Sequence, residues 1–344
     1  MDMNVNINLN IKPAASAALP SPSIAIPTPA AARRIVRRRT LLLAGLLSLL
    51  MFLLAGALTL HAYIAWHLGR PVVAPLESNP LLAIGTPYED VRFTSANGSA
   101  ELSGWYIPSS RPSDKTVVFS HGYGANREEH WVPMYELADA LHRKNYNVIM
   151  FDYLFASQEY SGIATGGIDE AHQLLGAVRL AKERGAGQVF VWGFSMGAGT
   201  ALQAALDTKA IDGMILDSLF LLDPDTLFHN VKQAMNLPRE PSLSLLRLFF
   251  PIVNGVRLSD VPYQRIHEET YSIPMFIIHG GLDEKAPYQV AEQIAANQKS
   301  VAYSNYWFLP HGHHELLYRA GKSDYLNRTL GFLDRISVTN SASR

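Results

Sequence analysis

The chain contains no cysteine. Thiol nucleophiles, disulfides and cysteine-ligated zinc are therefore excluded, whatever the compartment. There is no surplus of positive charge either: 29 basic residues face 30 acidic ones, a net charge of -1, which gives no electrostatic footprint for nucleic acid. A P-loop, a GxGxxG dinucleotide fingerprint, an HExxH zinc motif and internal repeats are all missing from the 344 residues. The expectation is chemistry done by side chains alone, with no cofactor and no metal. Charge is scarcest at the start. Residues 1–32 are rich in Asn, Ala, Pro and Ser and nearly free of charge, a composition that predicts a disordered leader.

Against that background two features stand out. Arg33, Arg34, Arg37, Arg38 and Arg39 form a basic flank over 33–40. An apolar run follows at 41–60, broken only by Ser48 and Thr59, and softens towards Leu68. About 20 apolar residues match the hydrocarbon thickness of a bilayer, and few core helices are apolar on every face at that length. The segment 41–68 is read as one transmembrane helix. Ala55-Gly56-Ala57 resembles a signal-cleavage site, but the long basic region ahead and the apolar residues beyond favour an uncleaved anchor. Arginines on the N-terminal side predict a cytoplasmic N-terminus and an extracytoplasmic domain. Residues 69–87 read as a proline-containing tether, and every candidate site residue falls beyond it. A catalytic domain complete without residues 1–70 is expected.

The most informative stretch is Gly193-Phe194-Ser195-Met196-Gly197. It reads G-x-S-x-G, preceded by a strand-like run at 188–192 (QVFVW) and followed by a small-residue helical pattern at 198–206. Strand, tight turn and helix are the context in which a serine is thrust forward as a nucleophile at a helix N-terminus. A serine needs a base in reach and an acid to orient that base. Asp283 lies just past the apolar strand run 273–279, and Asp217, at the end of another strand, is its rival. The strand run 303–309 leads into Pro310-His311-Gly312-His313-His314-Glu315, a loop with three candidate bases. An oxyanion hole can be drawn from the amide of Met196 and from the loop His121-Gly122-Tyr123-Gly124, which follows the strand run 116–120. His121 itself reads as structural.

With these landmarks in order, the chain resembles the α/β-hydrolase superfamily, and within it the serine aminopeptidase or BEM46-like group, over about residues 88–336. The motifs that carry the resemblance are SHGYGANRE (120–128), FDY (151–153), GFSMGAG (193–199), IIHGGLDEKAP (277–287) and GHHE (312–315). The resemblance implies a triad of Ser195, Asp283 and His313, with Tyr123 and Met196 supplying the oxyanion amides. The family pattern of glycine, histidine and a polar residue selects His313 over its neighbour His314. One departure is Leu154-Phe155-Ala156, standing where an arginine-glycine pair is usual, which implies a more apolar wall.

Alternating strands and helices predict an α/β fold: a mostly parallel central sheet with helices on both faces. A hairpin turning at Asn97-Gly98 opens it. The stretch at about 220–271 fits no strand-helix step and is expected to form a small helical cap; residues 337–344 read as a tail. Phe249, Phe250, Leu154 and Phe155 are candidate walls of an acyl pocket. The function expected is a membrane-anchored serine hydrolase acting on a small-molecule or lipid-like acyl substrate as ester, thioester or amide. The alternative is a non-catalytic domain of the same fold serving as a membrane-tethered scaffold.

Overall fold

The computed structural model describes residues 29–160 and 162–342. Of the leader expected at 1–32, residues 1–28 lie outside the described residues and 29–32 are not a leader but the first turn of a helix. The strands are β1 (Glu89–Thr94), β2 (Glu101–Ile107), β3 (Lys115–Ser120), β4 (Asn147–Phe151), β5 (Gln188–Phe194), β6 (Gly213–Asp217), β7 (Met275–Gly280) and β8 (Asn305–Leu309). The helices are α1 (Pro29–Leu68), α2 (Pro80–Ile84), α3 (Met134–Arg143), α4 (Ile168–Glu183), α5 (Met196–Ala205), α6 (Pro224–Ala234), α7 (Arg239–Asn254), α8 (Tyr263–Glu268), α9 (Tyr288–Asn297), α10 (Leu317–Ala320) and α11 (Lys322–Ala342).

One sheet runs in the order β1-β2-β4-β3-β5-β6-β7-β8. The β1–β2 and β2–β4 pairs are antiparallel and all later pairs are parallel. The cause is legible in β4 to β7, whose residues are all buried: apolar side chains on both faces need cover on both faces. In β5 the alternation divides the core. Val189 and Val191 enter one apolar layer, while Phe190, Trp192 and Phe194 enter the other. The register aligns Ser120 with Gly193, Phe194 with Asp217, and Gly280 with Leu309. The loops that follow β3, β5, β6, β7 and β8 therefore emerge along one edge, where open α/β sheets bind ligands.

Two expectations are adjusted. Two helices, α10 and α11, separated at Gly321, close the chain, and α11 runs past the boundary expected at 336 to bury Ser337. The expected tether contains the short α2, whose first turn is capped by the Asn79 side chain accepting from Leu82 N. The cap between β6 and β7 consists of α6, α7 and α8.

The described chain divides into two compact units, Met1–Gly56 and Ala57–Arg344. Helix α1, which runs from the first unit into the second, is long and apolar enough to cross a membrane, the candidate span being Val36–Leu68. From Leu41 to Leu54 every large apolar side chain is more than half exposed, so the helix finds no protein partner there for the surface it offers.

Candidate active site

Ser195 stands between β5 and α5 with φ 51° and ψ -118°, a positive φ that a serine rarely adopts. The turn is held by its neighbours. Ser195 N–H donates to Asp217 O (2.9 Å), and Ser195 O accepts from Ala198 N (3.0 Å) and Phe220 N (3.1 Å). The flanking glycines are steric requirements: a Cβ on Gly193 would stand 2.6 Å from Ala198 Cα, and one on Gly197 would run into the carbonyl of Ser120. Ser120 Oγ in turn donates to Gly197 O (2.8 Å), which ties the end of β3 to the first turn of α5.

The imidazole beside Ser195 is that of His314, not of the expected His313. His314 Nε2 lies 2.8 Å from Ser195 Oγ, and its Nδ1 lies 2.7 Å from Asp283 Oδ2. His313 is more than half exposed and its Nδ1 faces Glu284 Oε2 at 3.5 Å. The reason is how the loop is fixed. Gly312 is locked against the end of β7, where Leu282 N–H donates to its carbonyl (2.9 Å) and a Cβ would stand 3.1 Å from Gly280 Cα. Three residues on, Glu315 N–H donates to Ser218 Oγ (2.9 Å). Between these anchors one side chain turns to solvent and the next turns inward. His311 is also exposed.

Asp283 is buried, and its Oδ1 also accepts from the N–H groups of Lys285 (2.9 Å) and Ala286 (2.7 Å). Burial pushes its carboxyl up, but the hydrogen bond and charge of His314 outweigh that and hold it below its ordinary value. Burial pushes the His314 imidazole down; the Asp283 hydrogen bond and the nearby acidic groups raise it further, so the net direction is up. The rival Asp217 is occupied elsewhere: it accepts from Tyr325 Oη (2.5 Å) and Ser218 Oγ (2.8 Å). Burial raises its pKa to about 6.

The loop after β3 lies against the serine. The position a Cβ would take on Gly122 is 3.4 Å from Ser195 Cβ, and Tyr123 and Met196 line the same cavity as Ser195 and His314. His121 is buried and structural. Its Nδ1 donates to Gly122 O (2.9 Å) while its Nε2 accepts from Tyr153 N (3.1 Å), and burial lowers its pKa to about 4. Asp152 of the FDY run takes its guanidinium from Arg127, through Arg127 Nη2 and N–H at 2.7 Å each.

The sequence reading missed a pair of buried glutamates here. Gly122 N–H donates to Glu129 Oε1 (3.0 Å), and Glu315 Oε1 and Glu129 Oε1 each lie 2.7 Å from the place a Gly122 Cβ would occupy. Burial first, and each other's charge second for Glu315, drive both carboxyls up, so at least one keeps its proton near neutrality. The only hint was a glutamate at each end of the motif set, in REE (127–129) and HHE (313–315).

The cavity in front of Ser195 has a volume of about 490 Å³. Its walls are mostly apolar, with Trp131, Phe220, Leu222, Leu227, Phe250 and Leu258 prominent, and Asn230, Glu284 and Lys285 form a polar part. Of the four wall residues expected, only Phe250 reaches it. Phe155 sits one layer behind, its ring 6.4 Å from that of Tyr123. Leu68, the last residue of α1, also lines the cavity. The expectation that residues 1–70 contribute nothing to the site is thereby corrected. Among the described residues no cluster of His, Asp and Glu could hold a metal ion.

Residues 115–242 match the family model described as alpha/beta hydrolase fold. The chain is 27% identical over 215 residues to the uncharacterized protein YfhR of Escherichia coli (strain K12), a match spanning 60% of this chain and 66% of that one. Among solved structures it resembles the Pyrococcus furiosus esterase Pf2001 with a TM-score of 0.63, at 24% identity over 78% of this chain and 98% of that one. Est1E from Butyrivibrio proteoclasticus, solved with ferulic acid bound, superposes with a TM-score of 0.51 at 17% identity, over 70% of this chain and 100% of that one.

Proposed function

We propose that this chain, which has the α/β-hydrolase fold, is a membrane-anchored serine hydrolase that cleaves a carboxylic ester, thioester or amide. The observation that carries this reading is His314, bridging Ser195 Oγ at 2.8 Å and Asp283 at 2.7 Å in front of an apolar cavity. Ser195 Oγ attacks the carbonyl carbon and passes its proton to His314 Nε2. Asp283 holds the Nδ1–H and stabilises the imidazolium. The oxyanion accepts from the N–H groups of Tyr123 and Met196. Gly122 N–H is already taken by Glu129, which leaves the next amide as the loop's donor, and Met196 N–H opens α5, whose dipole favours the developing charge. Collapse expels the alcohol, thiol or amine with the proton from His314. Water then attacks the acyl-enzyme, gives a proton to His314, and the acid departs as Ser195 regains its hydrogen.

The apolar span of α1 and the arginines ahead of it support a single anchor with a cytoplasmic N-terminus and an extracytoplasmic hydrolase domain. A fluorophosphonate probe tests the chemistry. Covalent labelling confined to the Ser195 peptide, with turnover of nitrophenyl esters, is the expected result. A protein that takes no label and turns over neither those esters nor a panel of peptide amides is a scaffold instead.

A further inference from the structure

The last two turns of α1 belong to the compact unit that begins at Ala57, and they are built into the cap. Ile64 and Ala65 are buried against Leu227 and Val231 of α6 and Leu243, Leu246 and Phe250 of α7. A helix ends with carbonyls that lack intrahelical partners, and here polar side chains meet several of them. Asn254 Nδ2, at the end of α7, donates to Ala65 O (2.7 Å). Arg70 Nη1 donates to Trp66 O (3.2 Å) and to Asn254 Oδ1 (2.6 Å). Tyr123 Oη, from the loop beside Ser195, donates to Leu68 O (3.0 Å). The end of α1 is thus clamped by the cap on one side and by the oxyanion loop on the other, and Leu68 emerges in the cavity wall.

The outer side of the same seam is apolar where a water-facing surface would be polar. Leu248 and Ile252, one helical turn apart on α7, are 53% and 68% exposed, with Leu245 and Phe249 half-buried along the same stripe. Ile252 is two residues from Asn254, the residue that grips Ala65. On α1, Tyr63 and Trp66 are 56% and 44% exposed with their rings stacked at 6.2 Å, an aromatic pair of the kind that marks a membrane–water interface. Chain connectivity supplies the occupant. Leu60, the end of the apolar run, precedes Leu68 by eight residues, about 12 Å of helix. If the run lies in a bilayer, this seam meets its surface.

We infer that the outer stripe of α7 and the docked end of α1 rest on the bilayer, and that the acyl cavity takes a bilayer-resident acyl ester rather than a substrate dissolved in water. This rests on the serine-hydrolase reading above for its chemistry, but not for its geometry. The anchor's last turns then act as a wall of the pocket as well as a tether.

Two measurements on the full chain in phosphatidylcholine vesicles test it. Because the chain has no cysteine, Ile252→Cys offers one site for an environment-sensitive fluorophore. Its emission should shift to the blue and be quenched by doxyl-labelled phosphatidylcholine, while a label at Asp114→Cys, at the opposite end of the sheet before β3, stays unquenched. Second, the double variant Leu248→Glu/Ile252→Glu should lose about tenfold or more in hydrolysis of 4-methylumbelliferyl palmitate carried in the vesicles. On water-soluble 4-methylumbelliferyl butyrate it should stay within about twofold of wild type, since neither residue lines the cavity. An unquenched label at 252, or equal losses on both esters, or no loss on either, overturns the inference. Absence of any Ser195-dependent turnover of the soluble ester sinks the hydrolase reading, and with it the substrate class, while the quenching result still decides whether this face meets the bilayer.

Discussion

The two walls of the cavity are built on different principles. The sheet-side wall, made by the loops after β3, β5, β7 and β8, is a set of polar groups whose backbone positions are fixed by hydrogen bonds and close glycine contacts. Ser195 and the His314 loop are held from the end of β6, through Asp217 O and Ser218 Oγ, while Asp283 and Gly122 are held by Ala286 and Glu129 of their own loops. The cap-side wall, made by α6, α7 and the end of α1, is held mainly by apolar contact among residues such as Leu227, Leu246, Phe250 and Ile64, with hydrogen bonds added at the end of α1. Position is specified throughout the first wall and mainly hydrophobic volume on the second. Under the proposed function this is a division of labour: one wall would decide whether a bond is cut, and the other which acyl group is presented.

The largest effects should come from the fixed wall and depend on single positions. Ser195→Ala and His314→Ala are each expected to lower kcat by about 10⁴-fold or more, because triad members act as a unit. His313→Ala, one residue away, should stay within about twofold, since its side chain faces solvent. Ester hydrolysis by the purified variants checks this, and a reversal of the two histidines would mean that the loop turns the other way in solution.

Asp283→Asn comes next, with a loss in kcat of about 10⁴-fold expected from the wrong imidazole tautomer. It also carries a pH signature. The base must be neutral to accept the serine proton, and in the resting enzyme its pKa lies above the ordinary 6.5. Wild-type kcat/KM should therefore fall with acid through a limb above that value. With the carboxylate gone, burial is left to dominate and the limb should move down. A limb unmoved by Asp283→Asn would detach Asp283 from His314.

How much of this was legible in the sequence follows the same division. G-x-S-x-G between a strand and a helix, an acid past one strand and histidines past the next are local signals, and each fell at a strand end as expected. The choice between His313 and His314 was not local. It depends on Gly312 packing on Gly280 and on Glu315 N–H reaching Ser218, contacts across three loops that no spacing reveals. The Glu129–Glu315 pair was hidden for the same reason, its members being 186 residues apart. On the cap side, an apolar helix announces burial but not its partner, so Phe250 was anticipated, whereas Leu68 was assigned to the membrane alone.

The cap-side wall should respond gradually. Along a series of acyl chains from acetyl upward, kcat/KM should rise by up to about fourfold per methylene, the equivalent of about 0.8 kcal/mol of buried surface, until the cavity of about 490 Å³ is filled. Leu68→Ala should flatten that rise and leave the acetyl ester nearly untouched. A flat wild-type series would remove the acyl role of this wall, and peptide amides cleaved faster than any ester would redirect the reading to a peptidase.

The smallest effect expected lies behind the fixed wall and concerns stability. Glu315 is buried against Glu129, and burial together with that neighbour's charge holds its pKa well above 4.5 in the folded chain. Above pH 4.5 the unfolded chain releases this proton while the native one retains it. The unfolded state then binds fewer protons, and stability falls as pH rises, by at most about 1.4 kcal/mol per pH unit until the native pKa is passed. Glu315→Gln keeps the shape and a donor for Glu129 but has no proton to lose. Glu129 itself is raised chiefly by burial, which the substitution leaves in place. The Glu315 backbone bond to Ser218 is unaffected, so His314 should stay in place and kcat should change little. Urea midpoints compared from about pH 5, just above the ordinary carboxyl value, to about pH 8 should show the variant gaining on wild type as pH rises. A difference independent of pH would mean that the two carboxyls are not sharing a proton and that the loop behind the oxyanion site is held by Gly122 N–H alone.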